Sequence, residues 1–360
     1  MPKNAYIHIP FCKQKCKYCS FVSYTNFGLK DSYITSLIKE IKNNYNGEKL
    51  ETIYFGGGTP SLLDVNSVNL ILSNFNFDSE TEVTFELNPD DAESAYLKDL
   101  KNIGINRLSM GSQTFDDNIL RYIGRRHDSE GIYKAVKNAK DAGFENISLD
   151  LIYGLPMQNL EIMKKDLEKI IGLNVRHIST YGLKIDESSY FYSNPPKDLP
   201  DDDFQADMYI FINDYLEKYG YNRYEISNFS KKGYESKHNL NYWNNSEYYG
   251  FGAAAHGYIS GIRYSNPKGL SDYIKNPLKK ETEHKLSEQE KLEEEIFLGF
   301  RKTEGIVVSK IKNEFNFDFE KEYQYVINKY FPKYMEKTLS GYRLTLEGVL
   351  LSNIILAEFV

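Results

Sequence analysis

The alternation of short β-rich runs with longer amphipathic segments constrains the fold of this 360-residue chain more than any other feature. Runs of β-branched and aromatic residues stand at AYIHI (5–9), TIYF (52–55), EVTFEL (82–87), RLSMG (107–111), ISLDLIYG (147–154) and HISTYGL (177–183). Between them lie SYITSLIKEIKNN, VNLILSNF, SAYLKDLKNIG, YKAVKNAKDAG and MKKDLEKIIGL, with apolar residues at helical spacing. Strands separated by helix-length crossovers pair in parallel, because a tight turn joins only antiparallel neighbours. Six such units are too few for an eight-stranded barrel. The pattern predicts an α/β fold, an open or partial (β/α)6 TIM-like barrel, with functional residues at the C-terminal ends of its strands.

Beyond residue 183 the pattern changes. Residues 184–204 include SSYFYSNPPKDLPDDD, which reads as an excursion leaving the barrel. A helix is predicted over 204–219, then YNRYEISNFS and a Gly-, Asn- and Tyr-rich stretch to about 265. Asn-Pro pairs at 266–267 and 276–277 suggest a linker. From about 285 the charged segment LSEQEKLEEEIFLGFRK opens a different composition. A helix around 309–315 and a hairpin-and-helix pattern in GYRLTLEGVLLSNIILAEFV complete a winged-helix-like α+β domain. The expected division is a barrel over 1–200, a barrel extension over 201–280 and the C-terminal domain over 281–360.

All three cysteines of the chain, Cys12, Cys16 and Cys19, fall in one short loop, CKQKCKYC, just after the first strand. An odd number of cysteines and no sign of export argue against disulfides. Three thiolates are one short of the four that hold an ordinary iron–sulfur cube, so one iron would stay open to a small molecule. The competing reading is a zinc site completed by a histidine or carboxylate. It is disfavoured because no cysteine or histidine follows within about twenty residues and zinc-finger spacing is not met.

Other candidates fall at or after later strand ends. GGGTPS (56–61) follows TIYF directly, and glycines there let backbone approach a ligand closely, although many β/α turns contain glycine. Glu86 ends its strand in ELNP, where a carboxylate could accept ligand hydroxyls or simply be a solvated loop acid. Gln113, Arg125 and Asp150 each lie at or past a strand end. Arg125 could bind a carboxylate as a planar fork, though arginines more often form surface ion pairs. Asp150 stands among apolar residues, and a buried acid needs a partner.

The C-x3-C-x2-C loop with GGGTPS resembles the radical S-adenosylmethionine (radical SAM) superfamily. IHIPFC, ELNP, R-x-S-x-G-x-Q (107–113), D-L-I-x-G-L-P (150–156), YEISNF (224–229), HNLNYW (238–243), GFGAAAHG (250–257) and LTLEGVLLSN (344–353) follow in order. Together they narrow the resemblance to the coproporphyrinogen III oxidase-like group over essentially the whole chain. The resemblance implies a 4Fe-4S cluster on Cys12, Cys16 and Cys19. It also implies S-adenosylmethionine held by Tyr6, Tyr18, Gly57, Gly58, Thr59, Glu86, Gln113, Arg125 and Asp150. The oxidase branch of that group carries a fourth cysteine two residues after the third and an N-terminal extension. Here Phe21 holds that position and the first cysteine is at residue 12. The chain is therefore more similar to the heme chaperone branch, whose H-N-x-x-Y-W histidine is implicated in heme binding. That likeness makes His238 the candidate heme ligand and His256 a second. Locally, His238 could equally be a hydrogen-bonded histidine in a polar loop.

The expected partners are heme and heme-accepting proteins. A net charge of −7, and 15 acidic against 11 basic residues over 281–360, exclude a basic nucleic-acid face. No run approaches the ~20 apolar residues of a membrane span, leaving only peripheral contact with membrane-bound acceptors. No signal peptide is read at MPKNAYIHIPFC, and an oxygen-sensitive cluster suits a reducing cytoplasm. The alternative function is a radical SAM oxidoreductase acting on a porphyrinogen, and a third is a cluster-bearing scaffold with no heme role. The sequence is silent on the oligomeric state.

Overall fold

The computed structural model describes residues 1–359. Its first six strands follow the expected runs: β1 (Asn4–Ile9), β2 (Thr52–Gly57), β3 (Glu82–Leu87), β4 (Arg107–Gln113), β5 (Asn146–Tyr153) and β6 (His177–Gly182). Each pairs in parallel with the next, in chain order. The crossovers are α1 (Lys30–Asn44), α2 (Val65–Leu72), α3 (Ser94–Asn102), α4 (Asp117–Tyr122), α5 (Ser129–Asp141) and α6 (Leu160–Gly172). The four starting with α2, α4, α5 and α6 are capped by Asp64, Asp116, Asp128 and Asn159, whose side chains accept first-turn N–H groups. The short α4 is the one crossover helix absent from the sequence reading; at six residues it has too little periodicity to be seen.

The sheet stays open. β8 (Asn228–Ser230) pairs antiparallel with β6, β7 (Asn222–Arg223) pairs antiparallel with β8 outside it, and β9 (Tyr249–Phe251) pairs in parallel with β1. Along every barrel strand, alternate residues face opposite sides. The outward set, including Ile53, Phe55, Val83, Phe85, Leu108, Met110, Ile147 and Leu149, is fully buried in the apolar core. The inward set is polar: Tyr54, Glu86, Arg107, Ser109, Ser148, Asp150, His177 and Ser179. An apolar skin around a polar lumen is the arrangement expected of a barrel that holds a polar ligand.

The segment 266–277, where Asn-Pro pairs suggested a linker, packs against the core through Asn266, Leu270 and Tyr273, with Lys268, Asp272 and Lys275 exposed. Asn266 is fully buried and donates to Glu40 Oε1 (2.8 Å) and Gly252 O (2.8 Å). Glu40 of α1 also accepts from Gly252 N, Tyr273 OH and Lys280 Nζ at 2.9, 2.7 and 3.0 Å. The Asn-Pro pairs suggested a linker; a carboxylate far away in sequence instead ties Asn266 and Tyr273 into packed structure. Strands β10 (His256–Ile259), β11 (Ile262–Ser265) and β12 (Thr282–Lys285) form an antiparallel sheet beyond them. That sheet runs to Lys285, four residues past the expected start of the C-terminal domain.

The C-terminal residues build helices around a three-stranded antiparallel sheet of β13 (Ile306–Val307), β14 (Met335–Lys337) and β15 (Gly341–Leu344), in the order β13-β15-β14. Its first helix, Glu288–Gly299, begins with a capping box between Ser287 and Glu290. This part has its own core, including Ile296, Phe300, Phe319 and Phe359, which reaches the barrel through Tyr153 and Tyr209. Glu40→Ala, which strands Lys280 and three other donors, is expected to lower unfolding free energy by about 3–5 kcal/mol, measured by chemical denaturation.

Candidate functional site

The cysteine loop leaves β1 and is pinned at several points. Cys12 N donates to Tyr24 O (3.0 Å), Lys17 N to Ile123 O (3.0 Å) and Phe191 N to Lys17 O (3.0 Å). All three thiols border one cavity of about 410 Å3 at the C-terminal ends of the barrel strands. Thr59 Oγ1 donates to Cys12 Sγ and Arg125 Nη1 to Cys16 Sγ, both at 3.5 Å. Burial pushes the Cys19 thiol above its ordinary pKa. Among the described residues, no three His, Cys, Asp or Glu side chains converge as they would on a single metal ion. Three thiols bordering one open cavity fit three corners of an iron–sulfur cube.

The glycine turn is sterically obligatory. Gly57 has φ +106°, and a Cβ there would lie 2.4 Å from the His8 ring. A Cβ on Gly58 would stand 2.6 Å from Phe11 O. This closeness lets Gly58 N donate to Ile9 O (2.9 Å) and Thr59 N to Phe11 O (2.7 Å). The turn is thereby fastened to the residues that lead into Cys12.

Two carboxylates occupy the inner wall. Glu86 accepts from Tyr54 OH (2.7 Å) and Gly57 N (3.2 Å). Burial raises its pKa to about 7; those two hydrogen bonds oppose the rise, and Asp150 adds to it. Asp150 accepts from Ser109 Oγ (3.2 Å), and burial lifts its pKa too. Across the cavity, Arg125 Nη2 donates to Asn88 Oδ1 and Gly111 O, both at 2.7 Å. Burial opposes its charge, but Tyr18 and Cys16 outweigh that and keep it firmly protonated. Its Nε is buried with no partner among the described residues, an available donor for an anionic ligand. Gln113 sits at a bulge of β4 with φ +68°, a strained backbone for a residue that is not glycine. Asp166 of α6 holds the following turn by accepting from Thr114 Oγ1 (2.6 Å) and Phe115 N (2.8 Å).

Tyr18, Gly57, Gly58, Thr59, Glu86, Gln113, Arg125 and Asp150 therefore all line the cavity that the cysteines border. Tyr6 does not; it stacks on Tyr54 (6.1 Å between centroids) and its hydroxyl meets His8 Nδ1 (3.0 Å). Tyr54, Asn88, Ser109, Tyr181 and Lys184 also line the cavity without having been singled out from sequence. Strand alternation could have flagged Tyr54, Ser109 and Tyr181, which share the inward face with Glu86 and Asp150.

His238 is not brought to this cavity. HNLNYW forms a helix, Lys237–Trp243, packed against the opposite, N-terminal ends of the strands. The ring is 1% exposed, with Nδ1 2.7 Å from Thr52 Oγ1 and Nε2 3.0 Å from Tyr242 OH. Burial, with Arg107 nearby, lowers its pKa to about 3, so it is neutral. The alternative of a hydrogen-bonded histidine describes this geometry, in a helix rather than a polar loop: both nitrogens are engaged. His256 stands exposed at the start of β10 and lines no described cavity with His238.

A six-stranded partial barrel with a polar lumen, three thiols at its mouth and a glycine turn beside them defines a radical SAM protein. Residues 6–170 match the radical SAM superfamily and residues 286–351 the HemN C-terminal domain. The chain is 44% identical to heme chaperone HemW of Lactococcus lactis over 89% of its length and 87% of that protein. It is 37% identical to HemW of Bacillus subtilis over 99% of both chains. The solved structure of coproporphyrinogen III oxidase (HemN) from Escherichia coli, titled as a radical SAM enzyme, matches with a TM-score of 0.86. That match has 22% identity and covers 99% of this chain and 90% of that one. The chain belongs to the HemW family. Membership in the superfamily brings a 4Fe-4S cluster and S-adenosylmethionine, which the thiols, the unpartnered Arg125 Nε and the open cavity fit.

Glu86 carries a testable consequence. Its folded pKa of about 7 lies above its ordinary 4.5, so the folded state favours the protonated acid. Its contribution to stability is full below pH 4.5 and is lost as pH rises towards 7. The stability of the cofactor-free wild type should fall over that window relative to Glu86→Gln, measured by urea denaturation at several pH values.

Proposed function

We propose that this protein binds heme and hands it to heme-accepting proteins, while carrying a 4Fe-4S cluster and S-adenosylmethionine. The observation that carries this reading is the 44% identity over 89% of the chain to a protein named heme chaperone HemW. Phe21, 64% exposed at the cavity edge where the oxidase branch has its fourth cysteine, points the same way. Cys12, Cys16 and Cys19 hold the cluster in this reading. Gly57, Gly58 and Thr59 meet the amino group of S-adenosylmethionine, Glu86 its ribose and Arg125 its carboxylate. Bound there, the pair supplies one-electron reductive cleavage of S-adenosylmethionine. The protein's part is to orient the cofactors and keep water from the buried carboxylates.

His238 is the proposed heme ligand once its Nε2 is released. No helix among the described residues is long and apolar enough to cross a membrane. The proposed acceptors are cytoplasmic or membrane-bound proteins. Heme titration of wild type and His238→Ala, followed at the Soret band, tests the reading. Wild type should bind and the variant should lose most of its affinity; a wild type that takes up no heme would overturn the proposal. Replacing any one of Cys12, Cys16 or Cys19 by Ala should remove the brown chromophore and lower bound iron below four per chain in anaerobically reconstituted protein.

The complete S-adenosylmethionine cavity favours one further reading, oxidation of a porphyrinogen propionate. Anaerobic incubation with coproporphyrinogen III, reductant and S-adenosylmethionine should then yield protoporphyrinogen IX. No product under conditions that cleave S-adenosylmethionine eliminates it.

A further inference from the structure

The hydrogen bonds around His238 determine which of its nitrogens can bind a metal. Asn4 Nδ2 donates to Asn241 Oδ1 (2.6 Å), so Asn4 Oδ1 accepts the Thr52 hydroxyl proton (2.8 Å). Thr52 has then given away its only proton, and its oxygen must accept from His238 Nδ1–H. The lone pair of the neutral ring is left on Nε2, where the Tyr242 hydroxyl donates to it. A ring N–H committed to a protein acceptor, with the lone pair on the other nitrogen, is the arrangement that metal-ligating histidines adopt. Only a tyrosine hydroxyl occupies the metal's place.

Tyr242 also has a second environment. With Tyr248, Leu286, Phe297, Leu298 and Arg263 it lines a groove of about 620 Å3 between the β10–β12 sheet and helix Glu288–Gly299. Its ring meets Tyr248 edge-on at 4.7 Å and His238 edge-on at 5.0 Å. It therefore separates a preset imidazole lone pair from an aromatic, aliphatic groove. We infer that this groove is the heme site, and that Tyr242 is a latch which heme displaces to reach His238 Nε2. This rests on the heme-binding reading above and adds the location and the gate.

The groove's charges dictate the orientation of the macrocycle. Glu290, Glu293 and Glu294 share its rim with Arg263 and His284. Glu294 is tied to Arg263 (2.7 Å) and Glu290 to His284 (2.7 Å). These carboxylates repel propionates, so the apolar edge of the porphyrin enters and the propionates stay in solvent. On the far side, His238 stacks on Tyr54 (4.9 Å, 26°), whose hydroxyl holds Glu86. One tyrosine thus stands between the heme site and the S-adenosylmethionine cavity.

The test is anaerobic titration of hemin into full-length wild type, Tyr242→Phe and Leu298→Trp, read at the Soret band. Circular dichroism and S-adenosylmethionine binding serve as checks of folding. Tyr242→Phe removes a hydrogen bond that heme must break, worth about 1 kcal/mol, and should tighten binding about five-fold. Leu298→Trp fills the groove from a partly exposed position and should weaken binding at least ten-fold. If wild type binds heme and both variants titrate identically to it, the groove and latch are overturned while the heme-binding reading stands. If wild type binds none, that reading fails first.

Discussion

The close approach of residues 57–59 to the strand end that leads into the cysteine loop is the contact on which the candidate site depends. Gly58 N bonds to Ile9 O and Thr59 N to Phe11 O, with no room for a side chain at Gly58. Any Cβ there would drive the turn away from β1 and separate Thr59 from Cys12. Glycine at this point costs conformational entropy in folding. In return, the main chain of one β/α loop and the thiols of another border the same cavity.

Behind that contact lies an interior of unusual polarity. Arg107, His177 and His238 are deeply buried, and Glu86 and Asp150 stand in the cavity wall, held by Tyr54, Gly57 and Ser109. Burying charge without partners is expensive, so the acids take up protons and the histidines stay neutral. Glu86 has a pKa near 7 because burial outweighs Tyr54 and Gly57. Its hydrogen-bonding capacity is held ready, and a ligand hydroxyl or a proton can satisfy it.

The two ends of the lumen have different tasks. At the C-terminal ends of the strands the side chains leave a cavity. At the N-terminal ends, helix Lys237–Trp243 caps the lumen by placing its first N–H groups on Glu82 and His238 on Thr52. Tyr54 touches both, through its hydroxyl on Glu86 and its ring on His238. The HNLNYW element is therefore part of the barrel's closure as well as a candidate for ligand binding, and the two uses share one imidazole.

The sequence by itself determined the order and kind of the six β/α units, because period-two and helical spacing are local properties that burial on one face enforces. It also determined the cysteine loop, the glycine turn and the strand-end acids, whose positions follow once strand ends are known. Asn266 and His238 show where such reading stops. An Asn-Pro pair suggests a linker, yet Glu40, more than two hundred residues away, holds Asn266 in the core. For His238 the sequence left ligand duty and hydrogen bonding both open, and Thr52 and Tyr242 engage its two nitrogens. Only the tertiary structure decided these points, because burial and hydrogen-bond partners arise from chain segments whose meeting no local pattern encodes.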